Sequence, residues 1–263
     1  MKKIGMFILA VVLAHSVAAR AEQWSKTYTL SGTPDLRVET SDANIHVDTW
    51  DQKNIEATVV SSHFKFGPGG LNVEERQSGD TVEINLHFPH NVVNFNFTSH
   101  RVDINIHMPR QGRVKLHTGD GRIELADFKG EMDLSSGDGA EEIHRVDGNL
   151  HAGTGDGHIT VDGRFDALNL KSGDGRVEAR ATAGSTLAEE WMLHTGDGSI
   201  SLELPENLSA DLYLRTGDGH IDVNLPMTTE GRIKTSEVRG KLNGGGKLIT
   251  VHTGDGSIQV GKG

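Results

Sequence analysis

The sequence contains no cysteine, so neither a disulfide framework nor a lipid-anchored N-terminus is available to it. It is also short of long apolar runs. The longest, residues 4–17, is interrupted by His15; it and every later stretch fall short of the roughly 20 apolar residues a spanning helix requires. No transmembrane segment is expected. Basic residues are few: 26 Lys and Arg against 37 Asp and Glu give a formal charge of −11. That balance argues against nucleic acid or an anionic membrane as partner, because both demand a positive surface. No window carries a convincing helical period, and nothing resembles a nucleophile elbow, a phosphate loop or a catalytic triad.

What is present begins with a processing signal. Lys2 and Lys3 precede the apolar run, and Ala19-Arg20-Ala21 has the small-x-small form of a peptidase site, so residues 1–21 read as a signal peptide. Removing them takes away three basic residues (Lys2, Lys3, Arg20) and no acid, moving the formal charge from −11 to −14. An exported protein is predicted, in the periplasm, at the cell surface or secreted. Further on, the turn Thr/Ser-Gly-Asp-Gly occurs seven times, with its aspartates at Asp120, Asp138, Asp156, Asp174, Asp197, Asp218 and Asp255. The first four are 18 residues apart, and the later gaps are 23, 21 and 37. The last gap equals two periods, with Thr235-Ser236-Glu237-Val238 where the missing turn would stand. Such self-similarity means that each unit is one rung of a stack, burying its apolar face only against its neighbours.

The surrounding residues support this. Leu116 before the first turn and Ile123 and Leu125 after it recur at the same offsets as Leu170 with Val177 and Ala179, Leu193 with Ile200 and Leu202, and Val251 with Ile258 and Val260. Strands alternate faces, so these residues share an interior. An 18-residue rung accommodates two strands of about five residues or three very short sides. The turn glycines are expected to adopt positive φ, and Gly130 and Gly148 mark a second corner. Residues 181–190 are the one candidate for a short helical insertion. Residues 22–111 read as strands without the glycine turn, although Thr40-Ser41-Asp42-Ala43-Asn44-Ile45-His46-Val47 looks like a worn copy of the repeat. The expected organisation is therefore all-β: a signal peptide (1–21), an irregular N-terminal β cap (22–111) and a parallel β-helix or β-solenoid of 18-residue rungs (112–263). A cap is needed because an open terminal rung exposes apolar surface and strand edges.

The run Val102-Asp103-Ile104-Asn105-Ile106-His107-Met108-Pro109, the strand end Trp50-Asp51 and the Gly-Asp turns at 18-residue spacing together resemble a family of bacterial β-strand-repeat domains described as candidate adhesins. The resemblance spans about residues 36–260. It implies an envelope-associated or secreted β-solenoid with no catalytic residues to carry over.

Chemistry concentrates in three places. Stacked rungs would set the seven aspartates about 4.8 Å apart, where like charges repel by about 0.9 kcal/mol in water. Each carboxylate is expected to accept hydrogen bonds from its own turn's N–H groups and hydroxyl. The alternatives are that neighbouring aspartates share calcium, or that they form an acidic strip for a basic partner. The histidines at 117, 158, 194, 220 and 252 point outward by parity, and those at 117, 194 and 252 come from separated rungs; His87, His90, His100 and His107 form a group in the cap. The repeat breaks at Glu141, Glu142 and His144, and the insertion ends at Trp191, an aromatic suited to stacking on a sugar. These four residues are the candidate binding site, or the acid–base groups of a carbohydrate-active enzyme. The reading that results is a non-enzymatic scaffold for an envelope or surface protein or a glycan. A calcium-stabilised repeat is the alternative, and self-association through an exposed C-terminal rung is expected.

Overall fold

The computed structural model describes residues 22–89, 101–229 and 235–263. The expected signal peptide at residues 1–21, the alternating stretch 91–97, which reads as an edge strand, His90 and His100 lie outside the described residues. In chain order the strands are β1 (Glu22–Thr29), β2 (Asp35–Thr40), β3 (Asn44–Trp50), β4 (Asn54–Ser61), β5 (Asn72–Ser78), β6 (Thr81–His87) and β7 (Val102–Pro109). Then come β8 (Gln111–Thr118), β9 (Ile123–Ala126), β10 (Lys129–Ser136), β11 (Glu141–Thr154), β12 (Ile159–Ser172), β13 (Val177–Ala181), β14 (Trp191–Thr195) and β15 (Ile200–Leu204). The chain closes with β16 (Ala210–Asp218), β17 (Ile221–Val223), β18 (Thr228–Thr229), β19 (Glu237–Leu242), β20 (Leu248–Asp255) and β21 (Ile258–Lys262). Among the described residues the fold is all-β, one continuous sheet without a helix.

Each repeat supplies one strand leading into the glycine-aspartate turn and one leaving it, giving an entry side and an exit side. On the entry side β8 pairs with β10 and β10 with the second half of β11, parallel and in step, so that Thr118, Ser136 and Thr154 are neighbours. On the exit side β9, the first parts of β11 and β12, β13 and β15 follow in the same manner. Alternation then decides what is buried: Leu116, Leu134, Leu170 and Leu193 from the entry side, and Ile45, Ile123, Ile159, Val177 and Ile200 from the exit side, have no appreciable exposure. Burying each such side chain contributes about 1.5–3 kcal/mol.

The turn glycines are required for a different reason from the one expected. Of the fourteen in the seven turns, only Gly219 has a positive φ. The others are needed because the next rung lies against them: a Cβ on Gly139 would sit 1.8 Å from the carbonyl oxygen of Gly121, and one on Gly175 1.8 Å from that of Gly157. The second corner does use positive φ, at Gly130 (136°) and Gly148 (135°).

The stack does not follow chain order. The worn copy, β2 and β3, forms a rung in register between β6–β7 on one flank and β8–β9 on the other. The closing strands β20 and β21 insert between β14–β15 and β16–β17. The expected exposed C-terminal rung is thus an interior one, and the ground for self-association through it is gone. The physical reason is that β19 runs antiparallel along one edge of β16 and leaves the other edge for β20. For the same reason residues 235–238 supply no corner of the aspartate file; 235 and 236 form a turn, and Glu237 and Val238 begin this covering strand. At the opposite end β1, β4 and β7 pair antiparallel, as do β5 and β6.

Residues 181–190 contain no helix. Their backbone donors are taken up by the neighbouring strand, with Thr186 N–H to Phe165 O (2.9 Å) and Ala188 N–H to Asp166 O (2.9 Å), so no internal helical ladder can form. Arg164 fastens this loop. It bonds Asp147, Asp166 and the carbonyl of Gly184, and Thr186 Oγ1 donates to Asp166 (2.6 Å). The Asp166 carboxyl is consequently held down at about 2, chiefly by the Arg164 hydrogen bonds.

Candidate interaction surface

The turn is built from the inside. Thr118, Ser136, Thr154, Ser172, Thr195, Thr216 and Thr253 are buried, and in the first four turns the hydroxyl accepts from the N–H of the turn's second glycine. Every one of the seven hydroxyls donates to the carbonyl at the corresponding position of the adjacent rung, from Thr118 to Ala43 O (2.9 Å) and Ser136 to Gly121 O (3.0 Å) through to Thr253 to Gly198 O (2.7 Å) and Thr216 to Gly256 O (2.7 Å). A file of hydroxyls therefore ties rung to rung, and each is worth about 0.5–1.5 kcal/mol net.

This inward file leaves the aspartates without the role expected of them. The N–H of Asp138 goes to Gly119 O (3.0 Å), that of Asp174 to Gly155 O (3.0 Å) and that of Asp255 to Gly196 O (3.0 Å). The donors that would have bonded the carboxylates are spent between rungs or on the buried hydroxyls. All seven aspartates are exposed. In stack order they run Asp120, Asp138, Asp156, Asp174, Asp197, Asp255, Asp218, the last two paired directly. Among the described residues no hydrogen bond or ion pair reaches any of the seven carboxylates, and no group of three or more metal-ligating side chains converges on a point.

The four other candidates do not form one site. Glu141 occupies the interior position of Ile123 and Ile159; it has 0 % exposure and no hydrogen-bond partner for either carboxyl oxygen. Burial pushes its carboxyl up to about 8; the Ser136 and Gly153 peptide groups oppose that rise, and Asp133 adds to it. Trp191 is also fully buried, edge-on to Phe165 at 6.2 Å with its Nε1 directed at Asp166 O. It packs the core and presents no face to a sugar. Glu142 and His144 do lie on the outer face of the exit side, where charges are already matched. Arg122 reaches Glu142 (3.0 Å) and Glu124 (3.7 Å), and His144 Nδ1 contacts Asp162 (2.6 Å).

The histidines are distributed similarly. His117 and His220 bond serine hydroxyls, His107 stacks on Trp50 at 5.3 Å, and His87 faces Glu74. One expectation is overturned: His194 and His252, 58 residues apart in sequence, are neighbours, with Nδ1 atoms 3.1 Å apart and rings within 6° of parallel. Insertion of β20 beside β14 brings them together, which linear spacing does not reveal.

A stack of glycine-cornered rungs with a continuous interior defines an all-β repeat protein. The model of the Toastrack DUF4097 family matches residues 33–261, and the chain belongs to that family. Several solved structures are similar over most of the chain. One is a candidate cell adhesion protein from Clostridium sporogenes, 13% identical, with TM-score 0.45 and coverage of 93% of this chain and 100% of that one. A candidate adhesin from Bacteroides fragilis is 11% identical, with TM-score 0.44 and coverage of 92% and 98%. A candidate lipid binding protein from Parabacteroides distasonis is 14% identical, with TM-score 0.43 and coverage of 91% and 96%. No curated protein matches the chain.

Proposed function

We propose that this chain is an exported, non-enzymatic β-solenoid of 18-residue rungs that serves as an interaction scaffold in the cell envelope or at the surface. On this reading residues 1–21 are its signal peptide, 22–111 its less regular N-terminal region and 112–263 its repeats. Among the described residues no helix is long and apolar enough to cross a membrane. The observation that carries the proposal is the aspartate file, seven exposed carboxylates in line that the fold itself does not use. Like charges held in a row raise the local potential, so a surface of this kind is kept for something outside the chain. A basic protein surface or an amine-bearing glycan fits it. The hydroxyl file already supplies the cohesion between rungs that a calcium-stabilised repeat would draw from shared cations.

Two measurements test this together. The variant Asp120→Asn/Asp138→Asn/Asp156→Asn/Asp174→Asn should melt no lower than the parent and lose cosedimentation with isolated envelopes; retained cosedimentation sinks the proposal. Chelation with EDTA should move Tm by less than about 2 °C, below the shift that 1 kcal/mol produces in a chain of this size. A fall of several degrees would transfer the aspartates to a structural calcium role.

A further inference from the structure

The order of stacking assembles a second surface, on the entry side. Lys171 of β12 pairs with His194 of β14, His194 with His252 of β20, and His252 with Arg215 of β16. Four basic side chains from distant parts of the sequence thus stand in one row, each a strand's width, about 4.8 Å, from the next. All occupy outward positions; Lys171 and Arg215 are exposed and the two imidazoles half-buried. Several other cations on this side are matched, Arg113 by Glu131, Lys115 by Asp133 and Arg37 by Asp35 and Glu83. In this row they are not. Among the described residues neither Lys171 nor Arg215 has an ion pair or a side-chain hydrogen bond, and Glu237, opposite Arg215, is held by Arg239 at 3.1 Å. In a chain of net charge −11, two cations without an ion pair, flanking a pair of imidazoles, form a grouping that the fold does not require.

The adjacent outward row adds groups of another kind. Asn169, Met192, Thr250 and Tyr213 are aligned one to the next across the same four strands. Met192, half exposed, is the one large hydrophobic side chain open to solvent among the described residues, and the Arg239 guanidinium lies 4.5 Å from the Tyr213 ring centroid. One row offers cations and the next offers an amide, a hydroxyl, a thioether and an aromatic ring.

We propose that this double row binds a linear acidic glycan, laid across the strands with its carboxylates or sulfates on Lys171, the imidazole pair and Arg215, and its sugar rings over Met192 and Tyr213. Charge complementarity selects an anion, and the straight cross-strand spacing selects a polymer with anionic groups at sugar-scale intervals. A nucleic acid is disfavoured because Asp174, Asp197, Asp255 and Asp218 lie three residues further on, at or just past the ends of the same four strands, and oppose a dense phosphate chain. A membrane surface is disfavoured because Met192 alone offers apolar penetration.

Acid should strengthen binding. The contact between the two Nδ1 atoms needs one donor and one acceptor, so at most one imidazole is charged while it persists. The His252 imidazole is held below its ordinary value by burial, by His194 and by Arg215. The charged groups around the pair are Lys171, Arg215 and Glu237 in the row, with the four aspartates beyond. A bound polyanion favours the protonated form of His252, so by linkage affinity rises as pH falls through the histidine range.

The test is binding of the purified protein at low salt to polygalacturonate and to heparin, with duplex DNA and phosphatidylglycerol vesicles as competing probes. Binding to at least one of the two glycans is expected, stronger at pH 5.5 than at pH 8. Lys171→Gln/Arg215→Gln should weaken it by at least about tenfold, the loss of two charge-assisted contacts, without changing Tm. Arg113→Gln/Lys115→Gln, on the same side, should weaken it by less than about twofold. Absence of glycan binding, equal losses in the two variants, or stronger binding to DNA or vesicles would overturn the proposal. The surface is separate from the turn edge. The fourfold aspartate-to-asparagine variant, which also removes the opposing charge of Asp174, should therefore bind glycan at least as well as the parent, and either proposal can fail without the other.

Discussion

Glu141 is the residue whose substitution should stabilise this protein most. It stands between Ile123 and Ile159 in an interior file, without a partner for either oxygen. The facing side makes room for it: the entry-side file reads Leu134, Ala152, Leu170, and its small member adjoins Gly153, whose peptide the carboxyl approaches. Burial lifts the carboxyl from its ordinary 4.5 to about 8. In the folded protein the proton stays on through neutrality, whereas the unfolded chain releases it above pH 4.5, so folding must hold a proton that water would take. Stability from this group is therefore complete below pH 4.5 and declines by about 1.4 kcal/mol per pH unit until the folded group ionises near pH 8. At pH 7 the penalty is about 3 kcal/mol, rising to about 5 kcal/mol above pH 8. Glu141→Gln keeps the shape and cannot ionise. It should match the parent near pH 4 and exceed it by about 3 kcal/mol at pH 7, a Tm gain on the order of 10 °C for a chain of this size. Circular-dichroism melts of both proteins from pH 4 to pH 9 provide the assay. Two Tm curves that run parallel across that range would refute the reasoning, because they would mean that the carboxyl is solvated or paired.

Three further outcomes follow from the packing. Gly139→Ala places a methyl 1.8 Å from the Gly121 carbonyl oxygen; the rungs must part, and a Tm loss exceeding that of a typical core truncation, about 2–5 kcal/mol, is expected in thermal melts. Thr154→Val removes a buried hydroxyl that bridges Gly139 O and Gly157 N–H. Leaving those groups unsatisfied should cost about 1–3 kcal/mol by urea denaturation, and no change would show that water replaces the hydroxyl. Trp191→Ala should cost about 3–5 kcal/mol, seen as a lower urea midpoint, with no change in glycan affinity per folded molecule; a specific loss of affinity would restore Trp191 as a binding residue.

Much of the candidate surface was legible in the sequence, and some was misread for local reasons. The alignment of Asp120, Asp138, Asp156 and Asp174 follows from a constant 18-residue spacing, because equal chain lengths between equivalent corners return the backbone to the same edge. Glu141 was visible as a break in the pattern. Its distance of 18 from Ile123 already gave it an inward position, and that offset was the signal that removes it from any surface site. Trp191 was buried for a comparable reason, two residues before Leu193 and so on the same inward face. Nothing local shows which constraint demands a glycine: Gly139 and Gly130 both lie against a carbonyl oxygen of the adjacent rung, 1.8 and 2.0 Å from where a Cβ would sit, and only Gly130 also adopts a positive φ.

By itself the sequence determined the face each side chain takes and which residues turn the corner. These are consequences of covalent alternation and of short-range sterics, and they hold wherever a rung lies. The tertiary structure alone decided which rung adjoins which. Every parallel rung offers nearly the same two edges, so β2–β3 and β20–β21 can enter the interior of the stack without any mark in their own sequence. The meeting of His194 with His252, the cover that β19 gives to the last rung and the unmatched basic row all come from that choice of neighbours.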